Sequence, residues 1–367
     1  MGGNLEQALA RVAAKVHAGE RLDREDGLAL FRSSDLLAVG QLADEVRRRK
    51  GGDRVYFLVN RHINPTNVCE NLCPLCAFGL ARGKPGTYTM SLDEVEAKAR
   101  ASRELGISEI HMVAGLSPEL DLAWYEEALR RIKVQLPQVV IQAFTAVEVD
   151  YLAALAGLSL EDTLRRLRSA GLDSLPGGGA EVFASRVRRK ICPKKISGER
   201  WLQVHETAHR LGLPTNATML YGHIETHEER VEHLLALREL QDRTGGFLTF
   251  IPLAFHPAHT RLGDDTLGRG PTGMDDLKTI AVARLLLDNF PHVKAMWIQI
   301  GLKLAQVALS FGADDLDGTV MEEQIYHAAG AATDQHTPRE TLVRLIREAG
   351  RLPVERDTLY RVLAEVS

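Results

Sequence analysis

From Val55 onward the chain alternates about eight times between a short apolar run rich in strand formers and a longer stretch of helical periodicity. The strand-like runs are Val55–Val59, Glu109–Val113, Val139–Phe144, Asp173–Leu175, Thr215–Leu220, Phe247–Ile251, Lys294–Ile298 and Ala313–Leu316. Between them, Ser91-Leu92-Asp93-Glu94 and Thr226-His227-Glu228-Glu229 have the spacing of capping boxes, and Gly106, Gly171, Gly212 and Gly245 stand where helices stop. Such alternation predicts a parallel sheet, and no mononucleotide fingerprint follows the first strand. Eight units in roughly 270 residues suit a closed (β/α)8 barrel of the TIM type, an α/β fold with its chemistry at the C-terminal ends of the strands. Residues 1–52 read as a helical extension, with Leu5, Leu9, Val12 and Val16 and then Leu36, Val39, Leu42 and Val46 at helical spacing. Residues 53–330 would form the barrel. Residues 331–367 are predicted to be a small helical appendage, its helix opened by Thr337-Pro338-Arg339-Glu340.

Composition narrows the function classes. A chain of 367 residues with net charge -4 has no electrostatic footprint for nucleic acid. The densest basic run, Arg47-Arg48-Arg49-Lys50, follows a helical pattern and suits a helix C-terminus. The N-terminal residues lack the basic start and apolar run of a signal peptide, and Glu6 stands where a myristoylation signal wants Ser or Thr. No stretch of about twenty apolar residues occurs; the nearest, Ala295–Phe311, contains Gln299, Lys303 and Gln306. These features predict a cytoplasmic protein without a membrane partner, in a compartment where thiols stay reduced.

Three of the four cysteines, Cys69, Cys73 and Cys76, lie in the polar loop after the first strand, spaced C-x3-C-x2-C. Clustered thiolates suit soft or borderline metals. A closed structural zinc site wants four ligands, so a zinc-binding structural protein would need a fourth, such as His62. Three thiolates on a four-iron cluster leave one iron free to bind something else. Cys192, far away in sequence, reads as a small core residue. Other residues end strands and would ring the same mouth. Ala114-Gly115 would let the backbone approach a ligand amino group. Glu181, after the Gly177-Gly178-Gly179 turn, could hold hydroxyl or amino groups, and Arg186 could pair with a carboxylate. Tyr221 and Glu225 follow the fifth strand, His256 and His259 the sixth, and Gln299 the seventh. Gly79–Pro85 resembles a phosphate loop but is one residue short, with Pro85 where Ser or Thr is needed.

The cysteine spacing is that of the radical S-adenosylmethionine (SAM) enzymes, and the chain resembles their aminofutalosine synthase family from the cysteine loop nearly to the C-terminus. The likeness rests on Ala143–Glu148, Leu175–Glu181, Asn216–Thr226, Phe250–Pro257, Gly301–Gln306 and Asp314–Thr319. It implies that Cys69, Cys73 and Cys76 hold a [4Fe-4S] cluster whose open iron is chelated by SAM. Phe78, Gly115, Glu148, Glu181, Arg186 and Glu225 would then bind SAM, consumed as a co-substrate. Asn67, Thr145, Tyr221 and His256 would bind substrate, and His256, His259 and Gln299 would serve catalysis. The implied reaction adds the 5′-deoxyadenosyl radical to the dicarboxylate 3-[(1-carboxyvinyl)oxy]benzoate, with rearrangement and loss of bicarbonate, giving 6-amino-6-deoxyfutalosine on the futalosine route to menaquinone. An external one-electron reductant of the flavodoxin or ferredoxin type is implied as partner. A sister cyclase acting on dehypoxanthine futalosine, or half of a deazaflavin synthase, would share the cysteines and the barrel.

Overall fold

The computed structural model describes residues 2–366, without the side chains of residues 2–5, so Leu5 of the first predicted stripe, together with Met1, lies outside the described part. Three helices come first: α1 (Gly2–Ala18), α2 (Arg24–Arg32) and α3 (Leu36–Gly51). Asp23 and Asp26 form a capping box at α2, and Asp35 accepts the Ala38 N–H to start α3. The helices do not stand apart from the rest. Gly40 of α3 lies against the Phe311 ring, where a Cβ would come within 2.5 Å, and Gly27 of α2 lies against Leu286 and Val231. The basic run does occupy the last turn of α3, yet Arg47 is buried there, bonded to Asp44 and to the Gly52 carbonyl.

The strands are β1 (Arg54–Leu58), β2 (Asn60–Ile63), β3 (Glu109–Met112), β4 (Val140–Ala143), β5 (Thr215–Tyr221), β6 (Phe247–Ala254), β7 (His292–Val293), β8 (Asp315–Gly318), β9 (Leu352–Arg356) and β10 (Val362–Glu365). β1 and β2 are one strand interrupted at Val59. Parallel pairing runs β2–β3–β4, then through the bridges Gln142–Ser174 and Leu175–Thr215 to β5, β6 and β7. Lys294–Asp315 carries it to β8, and Tyr56–Asp315 with Arg61–Met321 returns it to the first strand. The barrel therefore closes on eight positions, the fourth held by isolated bridges at Ser174 and Leu175. Its wall is buried on both faces, as in Thr215–Tyr221, where all seven residues are buried.

The capping boxes at Ser91 and Thr226 form as predicted. Two expectations are corrected. Lys294–Ile298 is not a strand: β7 is only His292–Val293, and Trp297–Ile300 is a helical turn. The C-terminal segment is not wholly helical. After the helix Arg339–Glu348, β9 pairs in parallel with β1 and β10 returns antiparallel to β9. β9 lies beside the N-terminal half of the first strand, while β3 pairs with its C-terminal half. Beneath the barrel, Arg356 donates to Asp315, Tyr360 donates to Asp315 and Thr358 donates to Glu109, at 2.7–2.8 Å. The segment is thus a floor to the barrel.

Candidate active site

The cysteine loop is braced from outside. The Asn67 side chain donates to the Gly86 carbonyl and accepts the Tyr88 N–H, both at 2.9 Å, and Cys69 and Leu80 are joined through the backbone. Gly115 sits so close that a Cβ would lie 2.2 Å from the Val68 carbonyl oxygen, and its N–H donates to Thr66. Only glycine permits this contact between the loop after β3 and the cysteine loop. Gly79 is pressed against the sulfurs from the other side: a Cβ there would be 3.1 Å from Cys69 Cβ and 3.7 Å from the Sγ atoms of Cys69 and Cys76.

All three thiols are free and line a cavity of about 260 Å3 at the C-terminal mouth of the barrel. Among the described residues no three His, Cys, Asp or Glu side chains are gathered as a site for a single ion. Three thiols beside a roomy, mainly apolar cavity, with small residues at Gly79 and Gly115, fit a larger group with an organic ligand next to it. Burial pushes the Cys73 thiol up to about 12 and raises Cys76 as well, so taking up a metal group there would release protons. Cys192 is buried in the core, as expected, with its thiol pushed up to about 11 by burial.

The structure sorts the predicted residues. Phe78, Gly115, Thr145, Glu148, Glu181 and His256 line the cavity with the cysteines. Thr145 and Glu148 also form the capping box of the helix Ala146–Ala156, and Glu148 accepts the Ala114 N–H at 2.9 Å. Burial nonetheless raises the Glu148 carboxyl to about 7. The other expectations are corrected. Arg186 is exposed and pairs with Glu229, while Glu225 is buried in an ion pair with Arg230. Tyr221 donates to Asp276 in the core at 2.7 Å, and Asn67 is spent on the loop brace. His259 is exposed with Nδ1 3.1 Å from the Ala328 carbonyl. The Gln299 side chain accepts the Ala254 N–H and its backbone carbonyl accepts from His256 Nε2, so it stands behind the cavity wall, against His256 and Tyr326. Except for Glu225, whose partners Gly222, His223 and Arg230 lie within five residues, a helix or loop distant in sequence supplies the partner that turns the side chain away.

Sequence reasoning also missed groups that the cavity gathers. Lys195, in the polar Pro193-Lys194-Lys195 run, reads as surface but pairs with Glu181 at 2.5 Å inside the cavity wall. Burial works against both charges, yet each holds the other ionised: the Glu181 carboxyl ends below its ordinary value and the Lys195 ammonium above. Glu323 and Tyr326 come from a segment without a motif, and His62 and His111 stack in the floor with ring centroids 4.5 Å apart. Strand alternation could have placed these two histidines, since His62 and His111 are register partners on adjacent strands.

Comparison with known proteins agrees with this arrangement. The family model described as Radical SAM superfamily matches residues 63–237, and that of the CofH/MqnC C-terminal region matches residues 244–367. Aminodeoxyfutalosine synthase of Thermus thermophilus is 48% identical over 363 residues, 98% of this chain and 97% of that protein. The protein of the same name from Streptomyces coelicolor is 47% identical, covering 96% and 93%. A 5-amino-6-(D-ribitylamino)uracil–L-tyrosine 4-hydroxyphenyl transferase of Methanopyrus kandleri is 42% identical, covering 95% and 94%. Among solved structures, methylornithine synthase superposes with a TM-score of 0.73 at 19% identity, over 93% of this chain and 97% of that one, which speaks to the fold alone. Radical SAM enzymes use a [4Fe-4S] cluster with SAM, and the three thiols beside the cavity are consistent with both. The chain belongs to the radical SAM superfamily and, within it, to the family of the aminodeoxyfutalosine synthases.

Proposed function

We propose that the protein joins the adenosyl group of SAM to 3-[(1-carboxyvinyl)oxy]benzoate with consumption of one water, giving 6-amino-6-deoxyfutalosine, methionine and bicarbonate in menaquinone biosynthesis. The observation that carries this reading is a closed barrel with three free thiols on one side of a roomy cavity, in a chain 47–48% identical over nearly its whole length to proteins named for that product. Cys69, Cys73 and Cys76 would hold the cluster, leaving one iron for SAM. When bound, cluster and SAM would supply carbon-radical chemistry at the adenosyl 5′ position, directed at the substrate alkene. The residues around it do the rest by binding and exclusion. Lys195, held charged against Glu181, would meet the SAM carboxylate, and the Gly115 loop would offer backbone polar groups to the same ligand. Phe78, Leu116, Val147, Leu253, Phe255 and Tyr326 wall the cavity with apolar surface, which keeps water from a radical and holds the alkene near it.

Anaerobic reconstitution with iron and sulfide, then incubation with SAM, dithionite and the enolpyruvyl benzoate, tests the reading. A product containing the adenosyl carbons is expected. 5′-Deoxyadenosine equal to the SAM consumed, with the benzoate intact, would refute it. The methanogen relatives favour a second reading, transfer of a 4-hydroxyphenyl group from tyrosine to 5-amino-6-(D-ribitylamino)uracil; the same incubation with those two compounds separates the readings. Changing Cys69, Cys73 or Cys76 to Ala is expected to abolish the visible absorbance of the reconstituted cluster by the loss of a thiolate ligand, whereas Cys192→Ser retains the reconstituted iron content.

A further inference from the structure

We propose that His62 and His111, on the floor of the cavity, are the receptor for the ring carboxylate of the benzoate substrate, an assignment that rests on the reading above. Most polar groups lining the cavity are otherwise engaged, the Asn71 side chain and the Tyr326 hydroxyl apart. Glu148 accepts the N–H groups of Thr145 and Ala114, and Glu181 is held by Lys195. Glu323 accepts the N–H groups of Ile325 and Tyr326, Thr218 donates to the Gly177 carbonyl, and His256 donates to Gln299. Among the described residues that line the cavity, His62 Nε2 is the buried side-chain nitrogen or oxygen without a hydrogen-bond partner. His62 is only 5% exposed. That nitrogen is closed off from the cavity, but Nδ1 of His62 and both ring nitrogens of His111 also make no hydrogen bond and keep some open surface, and unpaired imidazoles beside a cavity point to a ligand that completes them.

The second observation is the stack itself. His111 faces His62 with an interplanar angle of 23°, and its Nδ1 is 3.9 Å from Glu109, too far for a hydrogen bond. Glu109 is meanwhile bonded by Asn60 and Thr358. Burial lowers the proton affinity of both rings, so the floor presents two neutral imidazoles. The cations nearest the site are already matched: Lys195 to Glu181, and Lys294 behind the histidines to Asp317 at 2.5 Å. A carboxylate arriving at the floor would find N–H donors without having to displace a competing acid.

Depth selects which carboxylate this is. His62 and His111 each lie one residue before the end of β2 and β3, below the loops that carry the cysteines. The alkene must lie toward the thiols, where SAM would bind, together with the carboxylate attached to it. The far end of the molecule, the benzoate carboxylate, then points to the floor.

Binding measured in the presence of SAM and without reductant tests the assignment, comparing the enolpyruvyl benzoate with 2-phenoxyacrylate, which lacks the ring carboxylate. His62→Phe is expected to weaken the benzoate by roughly 10- to 100-fold and the phenoxyacrylate by less than about threefold, leaving SAM affinity and cluster absorbance unchanged. His62→Asn, which keeps an N–H donor near the Nδ1 position, should recover most of the loss and carries the test should the Phe variant fail to fold. Equal losses for both compounds, or no loss for either, would overturn the receptor. Turnover of the benzoate by the wild type alongside such a result leaves the reaction standing; a wild type that never converts the benzoate removes the reaction and the receptor together.

Discussion

Lys195 keeps its charge where charge is expensive, and Glu181 is the reason. The pair is mostly buried, with side-chain exposures of 19% and 7% at 2.5 Å. Removing one partner of such a pair strands the other, at a cost of about 3–5 kcal/mol. Lys195→Ala should therefore lower stability by that order in denaturant titrations and weaken SAM binding by equilibrium dialysis. The double variant Lys195→Met with Glu181→Gln should recover most of the stability while leaving SAM weakly bound. A double variant no more stable than the single one would count against the pairing. Glu148 offers a pH test. Its folded proton affinity is raised to about 7 from an ordinary 4.5, so the folded chain holds a proton that the unfolded chain has lost. Stability should fall as pH rises from 4.5 to 7 and level above that, and Glu148→Gln should flatten this part of the curve in chemical unfolding across that range.

The elements show how neighbours fix a strand that sequence draws too loosely. β7 is two residues long, yet Arg284 on the helix Gly273–Leu286 donates to Asp314 at 2.6 Å and His292 meets the same carboxylate at 2.8 Å. Burial alone would raise the Asp314 carboxyl, but Arg284 and His292 hold it at about 2. The stabilisation this supplies is fully present above the ordinary value of 3.8 and is lost as pH falls through about 2. Asp314→Asn should destabilise the protein at pH 7 and reduce the acid-dependent loss below pH 4 by about 2 kcal/mol, read from unfolding midpoints. The capped helices needed no such help to be legible, because Ser91 with Glu94 and Thr226 with Glu229 satisfy backbone donors within four residues. Thr145 with Glu148 forms a third box of this kind, whose spacing was readable but whose helix went unpredicted.

For the molecule as a whole, the C-terminal segment is what closes the barrel from below. Arg356 is fully enclosed, bonded to Asp315 and set over the Tyr360 ring at 4.1 Å. Arg356→Ala should cost about 3–5 kcal/mol, because Asp315 is left buried with less cation nearby. A chain ending at Gly350 should expose the edge of β1 and aggregate, which gel filtration would read as loss of the elution peak of the full-length protein. Full stability after that truncation would show that the floor is dispensable.

The barrel, the cysteine loop and most helix ends were written in local order: alternation has a period, capping boxes span four residues, and three cysteines fall within eight. Tertiary structure alone decided which polar side chains face the cavity. Arg186, Tyr221 and Glu225 sit beside strand ends as the sequence suggested, yet Glu229, Asp276 and Arg230 draw them away. Lys195, His62 and His111 enter the site because elements distant in sequence converge there. Local order encodes the hydrogen bonds a short segment can make with itself; the partners of a charged or aromatic side chain are set by whatever the closed barrel packs against it.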